Sequence, residues 1–201
     1  MKHEFEDHSW AAFIEATATR GPYEFFHSAM EFVDGNRGAG RQAIDLGCGG
    51  GADTRNLLAR GWQVLAVDAE PEARVALLRH TSEAYLDRLE IRIGAFDEVE
   101  LPDADLVYAQ FSLPFAGDRL GASTRNALAA IIPRGAFVGQ FIAAEDDWAG
   151  DPNVAVVDRE WVERTFGPFT TLEIDERKHH GAGGPDGTTK HWHYFHVRAR
   201  R

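Results

Sequence analysis

The chain lacks two features that mark secreted and membrane proteins. Its single cysteine, Cys48, excludes an internal disulfide and fits a reducing compartment. No apolar run approaches the ~20 residues that a membrane helix needs. Residues 1–10 are too charged for a secretory signal peptide. We therefore expect a soluble, cytoplasmic protein with no membrane segment.

Basic residues are also scarce. The 21 lysines and arginines face 32 acids, so the formal net charge is −11. This charge disfavours tight binding to a phosphate backbone, and nucleic acid is not expected as a partner. The one basic cluster, Arg198, Arg200 and Arg201, is interpreted as a solvated tail. Hydrophobic residues make up 44% of the 201 residues, which suits one globular domain with a well-filled core.

A glycine cluster is the most informative feature that is present. The apolar residues 43–46 predict a buried strand, and Gly47, Gly49 and Gly51 then predict a turn on which a ligand can lie against the backbone. A helix over 52–60 would direct its free N–H groups toward that ligand. Asp68 ends a second apolar run about 20 residues further on, where an acid can accept both hydroxyls of a ribose.

Strand and helix patterns alternate along the rest of the chain. Residues 1–40 are predicted to form a helical segment, for which the family resemblance given below implies a capping role, and 41–201 the ligand-binding domain. The run 34–40 is interpreted as a flexible joint between them. The last two strands flank a glycine-rich loop at 180–187 with no helix, so they must be antiparallel. The predicted strands are 43–47, 63–67, 89–94, 104–110, 135–143, 170–178 and 190–198, and the helices after the joint are 52–60, 70–80, 118–132 and 158–166.

This succession predicts an α/β fold of three layers. We expect a doubly wound, Rossmann-like, seven-stranded sheet that is mostly parallel, with an antiparallel strand in the C-terminal hairpin. In such sheets the ligand binds at the carboxyl ends of the strands. The residues that follow each strand are therefore the ones to examine for function.

Two cofactors use this layout. Gly47, Gly49 and Ala52 satisfy the dinucleotide pattern G-x-G-x-x-G/A. The longer string Asp45-Leu46-Gly47-Cys48-Gly49-Gly50-Gly51 resembles the first motif of class I S-adenosylmethionine-dependent methyltransferases. That resemblance implies that Gly47, Cys48 and Gly49 wrap the methionine end of the cofactor, that Asp45 lies near its amino group, and that Asp68 holds the ribose.

The same resemblance implies further contacts. Ala69 follows Asp68 in the cofactor site, Phe96 stacks on the adenine and Asp97 accepts its amino group. Residues 105–115 resemble the fourth motif of the family, which brings the backbone of Ala109 and Gln110 near the methionine moiety and Phe111 toward the acceptor. The stretch lacks the Asn-Pro-Pro-Tyr signature of enzymes that methylate nucleic-acid amino groups. The last strand is implied to lie antiparallel between the fifth and sixth.

Three features resemble the compact tellurite-resistance and thiol-methylating group of the family. They are the length of the chain, residues 135–148 and the histidine-rich last strand. We therefore predict methyl transfer to a small-molecule acceptor by in-line displacement, in a monomer or homodimer. The alternatives are an NAD(P)-dependent oxidoreductase and a non-catalytic S-adenosylmethionine-binding protein. No Tyr-x-x-x-Lys pair supports the oxidoreductase.

No catalytic base is evident. The candidates are His27, the acids Glu145, Asp146 and Asp147 after the fifth strand, and the histidines of the final hairpin. The acids are interpreted as a solvated loop. His191 and His193 share a strand face by period-2 alternation, but a metal needs three or four convergent ligands. No metal is predicted.

Overall fold

The computed structural model describes residues 10–34, 37–183 and 188–201. The first nine residues of the predicted cap segment lie outside this range. So do 35–36 of the predicted joint and 184–187 of the hairpin loop. No helix within the described ranges is long and apolar enough to cross a membrane.

Six α-helices and seven strands follow one another in the described residues. The helices are α1 (Trp10–Thr17), α2 (Glu24–Phe32), α3 (Ala52–Ala59), α4 (Pro71–His80), α5 (Leu120–Ala129) and α6 (Arg159–Phe166). The strands are β1 (Gln42–Leu46), β2 (Gln63–Asp68), β3 (Leu89–Ile93), β4 (Ala104–Ala109), β5 (Ile131–Ile142), β6 (Thr171–Ala182) and β7 (Thr189–Arg200).

The strands form one sheet in the order β3-β2-β1-β4-β5-β7-β6. The central strands are parallel, and Ile44 of β1 lies between Leu65 of β2 and Val107 of β4. All three side chains are fully buried, as expected for strands covered on both faces. Strand β7 runs antiparallel between β5 and β6. The predicted seven-stranded, mostly parallel fold is confirmed, including its antiparallel ending.

Hydrophobic side chains cover both faces of the sheet. On one face Phe137 and Phe141 of β5 pack against Phe166 of α6. On the other, Phe26 of α2 and Trp62 belong to a second buried cluster. Helices lie on both sides of the sheet, which gives the three predicted layers.

Strand β5 begins earlier than predicted. The periodicity predicted a helix to 132 and a strand from 135, whereas α5 ends at Ala129 and β5 already starts at Ile131. The early part is irregular: Ile131 pairs with Ala104, and the next pair is Leu106 with Ala136. Pro133 lies inside this irregularity, where its missing N–H breaks no regular ladder. Because of this proline, the sequence pattern does not indicate a strand before residue 135.

The basic residues at the chain end hold the helical lead segment (residues 10–34) and the sheet together. Arg198 donates to the Ser28 hydroxyl and Arg200 to the carbonyl of Phe32, both on or beside α2. Arg201 donates to the carbonyl of Ile131 at 2.5 Å. The interpretation of these arginines as a solvated tail is wrong: β7 lies inside the sheet, Arg198 and Arg200 contact α2, and Arg201 contacts the start of β5.

The lead segment also contacts the glycine loop that follows β1. Arg55 of α3 donates to the carbonyl of Gly50 at 2.7 Å and to that of Ala18 at 2.5 Å. A Cβ on Gly50 would lie 2.4 Å from Cα of Ala18. Backbone therefore packs on backbone at this point.

We expect Gly50→Ala to destabilise the protein by about 1–3 kcal/mol, because the added methyl must displace the end of α1. Urea unfolding of both proteins measures the difference. Gly21→Ala is the control, since nothing lies within 4 Å of the Cβ that it adds. Equal stabilities of the two variants would contradict the close packing of Ala18 on Gly50.

Candidate functional site

The glycine loop turns sharply between β1 and α3. Gly47, Gly49 and Gly51 have φ of +77°, +49° and +82°, in the left-handed region that favours glycine. The amides of Gly47 and Cys48 both donate to the carbonyl of Val67 in β2, at 2.7 and 3.1 Å. The loop is thereby tied to the end of the neighbouring strand.

The Asp68 carboxylate, at the end of β2, adds another hydrogen bond to the loop. Its Oδ2 accepts from the amide of Gly49 at 2.8 Å and its Oδ1 from that of Glu70 at 3.0 Å. Burial raises its pKa, and these backbone donors lower it. A carboxylate has about four acceptor sites, so two backbone bonds leave capacity for further donors. Ala69, next in the chain, is exposed.

Two more acids are buried beside the loop. Asp45 of β1 accepts from the Thr54 hydroxyl at 2.5 Å. Burial and the charge of Asp53 raise the pKa of Asp45 to about 7. Burial also raises the pKa of Asp53 to about 6, against the opposing effect of Arg20. Asp53 sits in the first turn of α3, and neither it nor Thr54 was predicted as a site residue.

Arg20 reaches this acidic cluster from the lead segment. Its Nη2 lies 3.9 Å from Asp53 Oδ2, and its guanidinium lies over the Tyr23 ring, 3.7 Å from the centroid. Arg20 Nε and Asp53 Oδ1 are both buried without a hydrogen-bond partner. A cation and an anion with unused bonding capacity therefore stand side by side next to the glycine loop. Sequence reasoning missed Arg20, because nothing in one sequence places a residue of the lead segment beside the glycine loop.

The end of β4 completes this side of the site. The Tyr108 hydroxyl donates to Gln110 and lies 3.4 Å from Asp53 Oδ2. Ala109, which lies between Tyr108 and Gln110 in the chain, is buried. A Cβ on Gly47 would lie 2.2 Å from Cβ of Ser112, so the loops after β1 and β4 are in close contact. The structure thus brings predicted residues of the first and fourth motifs together.

Phe111 has an unusual backbone. Its φ is +45°, a region that bulky residues rarely adopt. This conformation places its ring 5.0 Å from the rings of both Trp192 and Tyr194 in β7. The Phe111 ring therefore packs against the last strand.

The residues after β3 have protein partners. Phe96 packs against the core, and its carbonyl accepts from Asn126 at 2.7 Å. Asp97 Oδ1 forms an ion pair with Arg119 at 3.1 Å. Their predicted contacts with adenine stay predictions.

The three acids after β5 differ in their surroundings. Glu145 and Asp147 are exposed, as expected for a solvated loop. Asp146 is instead buried, with bonds from the amides of Trp148 and His193 and an ion pair with Lys190. It holds the loop after β5 to the start of β7. In the described part of the chain, no three histidines, cysteines or acids are placed to hold a metal ion.

Comparison with known proteins agrees with this geometry. Residues 44–139, just under half of the chain, match the family model described as a methyltransferase domain. Over these residues the chain is similar to methyltransferase domains. No curated protein matches it in sequence. The match covers the stretch from β1 to β5 and therefore includes the glycine loop, Asp68 and the end of β4.

Solved methyltransferase structures share the fold. TehB from Haemophilus influenzae superimposes with a TM-score of 0.71 at 14% identity, covering 94% of this chain and 66% of TehB. The N-methyltransferase NodS from Bradyrhizobium japonicum, in complex with S-adenosylhomocysteine, gives 0.66 at 15% identity, covering 96% of this chain and 99% of NodS. The 1,6-didemethyltoxoflavin-N1-methyltransferase from Burkholderia thailandensis gives 0.62 at 19% identity, covering 89% and 78%.

The buried acids predict a pH-dependent stability. An unfolded Asp45 ionises near its ordinary pKa of 3.8, whereas the folded one ionises near 7. Between these values the folded state binds more protons, so stability falls as pH rises through this window. We expect Asp45→Asn to gain at least about 1 kcal/mol over wild type between pH 4 and pH 7.

Urea unfolding at a series of pH values measures this gain. Asp87→Asn, which changes an exposed acid between α4 and β3, is the control and should show no such trend. A constant stability difference between Asp45→Asn and wild type across the window would show that Asp45 ionises normally in the folded state.

Proposed function

We propose that this protein transfers a methyl group from S-adenosylmethionine to a small-molecule acceptor by in-line displacement. The observation that carries the proposal is the pair of buried, unpartnered polar atoms, Arg20 Nε and Asp53 Oδ1, beside the glycine loop. An amino acid presents an ammonium and a carboxylate close together. Asp53 and Asp45 would bind the ammonium of the cofactor, and Arg20 its carboxylate.

The remaining cofactor contacts follow the strand ends. Gly47, Cys48 and Gly49 would lie along the cofactor, since the loop has no bulky side chain and a Cβ on Gly49 would meet nothing within 4 Å. Asp68, followed by Ala69, would accept the ribose hydroxyls with its remaining lone pairs.

The adenine and the methionine chain take the next positions along the edge. Phe96 and Asp97 would contact the adenine, with Arg119 orienting the Asp97 carboxylate. The backbone of Ala109 and Gln110 would line the methionine chain, and Phe111 would face the acceptor.

The electrostatics of the site favour this cofactor over a nicotinamide dinucleotide. Asp45, Asp53 and Asp68 are all buried around the loop. A pyrophosphate placed there would be repelled by these acids in their ionised form, whereas an ammonium or a sulfonium draws the acids into that form and is attracted. The cofactor supplies a methyl group on a good leaving group, so the protein mainly aligns the reactants and excludes water.

The lead segment would exclude that water. Trp10 of α1 packs edge-on against Phe115 after β4, with centroids 4.9 Å apart. Arg79 of α4 forms an ion pair with Glu15 at 3.0 Å. We propose that residues 1–40 act as the cap and 41–201 as the cofactor-binding domain. A small acceptor suits this covered site, and the toxoflavin methyltransferase, described with 1,6-didemethyltoxoflavin bound, gives a precedent on the same fold.

Asp68→Ala should weaken binding of S-adenosylhomocysteine by about 1–3 kcal/mol, because it removes charge-assisted hydrogen bonds to the ribose. Calorimetric titration of both proteins measures the loss. Glu72→Ala, which changes an exposed acid in the first turn of α4, should bind like wild type. Unchanged affinity in Asp68→Ala would remove Asp68 from the cofactor site.

A further inference from the structure

A second group of side chains lies along the carboxyl edge beyond the cofactor residues. Ala109 of β4 pairs with Gly139 of β5, and Gln140 of β5 pairs with His196 of β7. Neighbouring strands lie about 4.8 Å apart. Gln110, which follows Ala109, therefore stands level with Gln140 and His196. This row starts at the proposed methionine site and runs away from it, toward β7.

Gln140 has unused hydrogen-bonding capacity. Its side chain is only 2% exposed, and its amide Nε2 lies 2.8 Å from Nε2 of His196. Its carbonyl Oε1 is buried without a partner. A buried acceptor that stays unpaired is unfavourable, because it loses its bonds to water. Gln140 therefore keeps an acceptor that a bound donor would satisfy.

His196 fixes the orientation of this amide. Burial lowers its pKa to about 4, so its ring is neutral and Nε2 accepts the proton of the Gln140 amide. The Phe25 ring of α2 packs on it at 4.2 Å and the Tyr194 ring at 5.0 Å. The charged or titratable groups around it are Asp175, Arg177 and His179 of β6 and Arg198 of β7.

Aromatic rings continue from this pair toward the surface. The Tyr194 ring lies edge-on to those of Phe111 and Trp192, with centroids 5.0 and 5.9 Å apart. The Phe111 and Trp192 rings are tilted to each other at 5.0 Å. The positive φ of Phe111 is an unfavourable backbone conformation for a bulky residue. It directs the ring into this row, so the fold holds a strained residue where a flat ligand would find stacking partners.

We infer that the methyl acceptor is a planar ring that carries an N–H or O–H donor. Its donor binds Gln140 Oε1, and its ring packs among Phe111, Tyr194 and Trp192. His196 is a positioning residue that holds the Gln140 amide through its neutral ring. The inference rests on the proposed function and names the substrate class of that site.

The test uses pairs of planar ligands in which methyl groups replace the donor protons, and the Gln140 variant separates the loss of the hydrogen bond from the added size. The full chain is saturated with S-adenosylhomocysteine and titrated by calorimetry with 2-naphthol and 2-methoxynaphthalene, and with lumazine and 1,3-dimethyllumazine. We expect at least one donor to bind about tenfold more tightly than its methylated counterpart, the gain of one hydrogen bond. Gln140→Leu should reduce that ratio to about one.

Variants of His196 separate positioning from folding. His196→Leu should also abolish the preference for the donor, whereas His196→Gln keeps an acceptor for the Gln140 amide and should restore it. His180→Ala is the control, because His180 is exposed at the far part of the hairpin and contacts the ring of His191. The affinity for S-adenosylhomocysteine should stay unchanged in all these variants.

Some results would contradict the inference, and one would contradict the proposed function. Absence of any donor preference in wild type, including absence of binding by all four probes, overturns the inference. So does a preference that survives both Gln140→Leu and His196→Leu. If Gln140→Leu fails to fold, the His196 pair of variants decides alone. Failure of wild type to bind S-adenosylhomocysteine would instead refute the proposed function.

Discussion

The site depends on one set of hydrogen bonds, those that join the end of β1 to the end of β2. Val67 accepts the amides of Gly47 and Cys48, and Asp68 accepts that of Gly49. Together these bonds fix a loop whose glycines adopt positive φ. The rigid loop then provides the surface on which α3 begins, Ala18 packs and Asp53 is placed. An acid at the end of β2 thus has a structural role even before a ligand binds.

The buried charges explain why a lead segment belongs to the site. Three acids in one small region are costly to bury, because each loses its hydration. The raised pKa values of Asp45 and Asp53 reduce that cost, because the acids can be neutral in the folded protein. The positive charge of Arg20, in the lead segment, offsets a further part of it. The ammonium of a bound ligand would offset the remaining cost of burying these carboxylates. The lead segment is therefore an electrostatic partner of the loop.

Much of the fold was predictable from sequence because the strand signals are strong and local. The apolar runs ending at Leu46 and Asp68 specify β1 and β2, and the glycine loop between them specifies the turn. The helix-free connection between β6 and β7 predicts their antiparallel pairing. The start of β5 was not predictable, since Pro133 interrupts its pattern at a register shift.

The site was predictable only where a motif carries it. Asp45, Gly47 and Asp68 stand in recognisable local patterns, and the structure places them around one loop. Arg20, Asp53 and the Gln140–His196 pair come together through tertiary contacts between segments far apart in the chain, for which one sequence holds no signal. Asp146 illustrates the same limit: its sequence neighbours are exposed, and only the position of β7 buries it.

The most direct test of the account is a calorimetric comparison of S-adenosylhomocysteine with NAD and NADP under the same conditions. We expect micromolar binding of S-adenosylhomocysteine and no binding of either dinucleotide, because the buried acids attract the amino-acid end of the first and repel the pyrophosphate of the others. Binding of a dinucleotide in place of S-adenosylhomocysteine would contradict it.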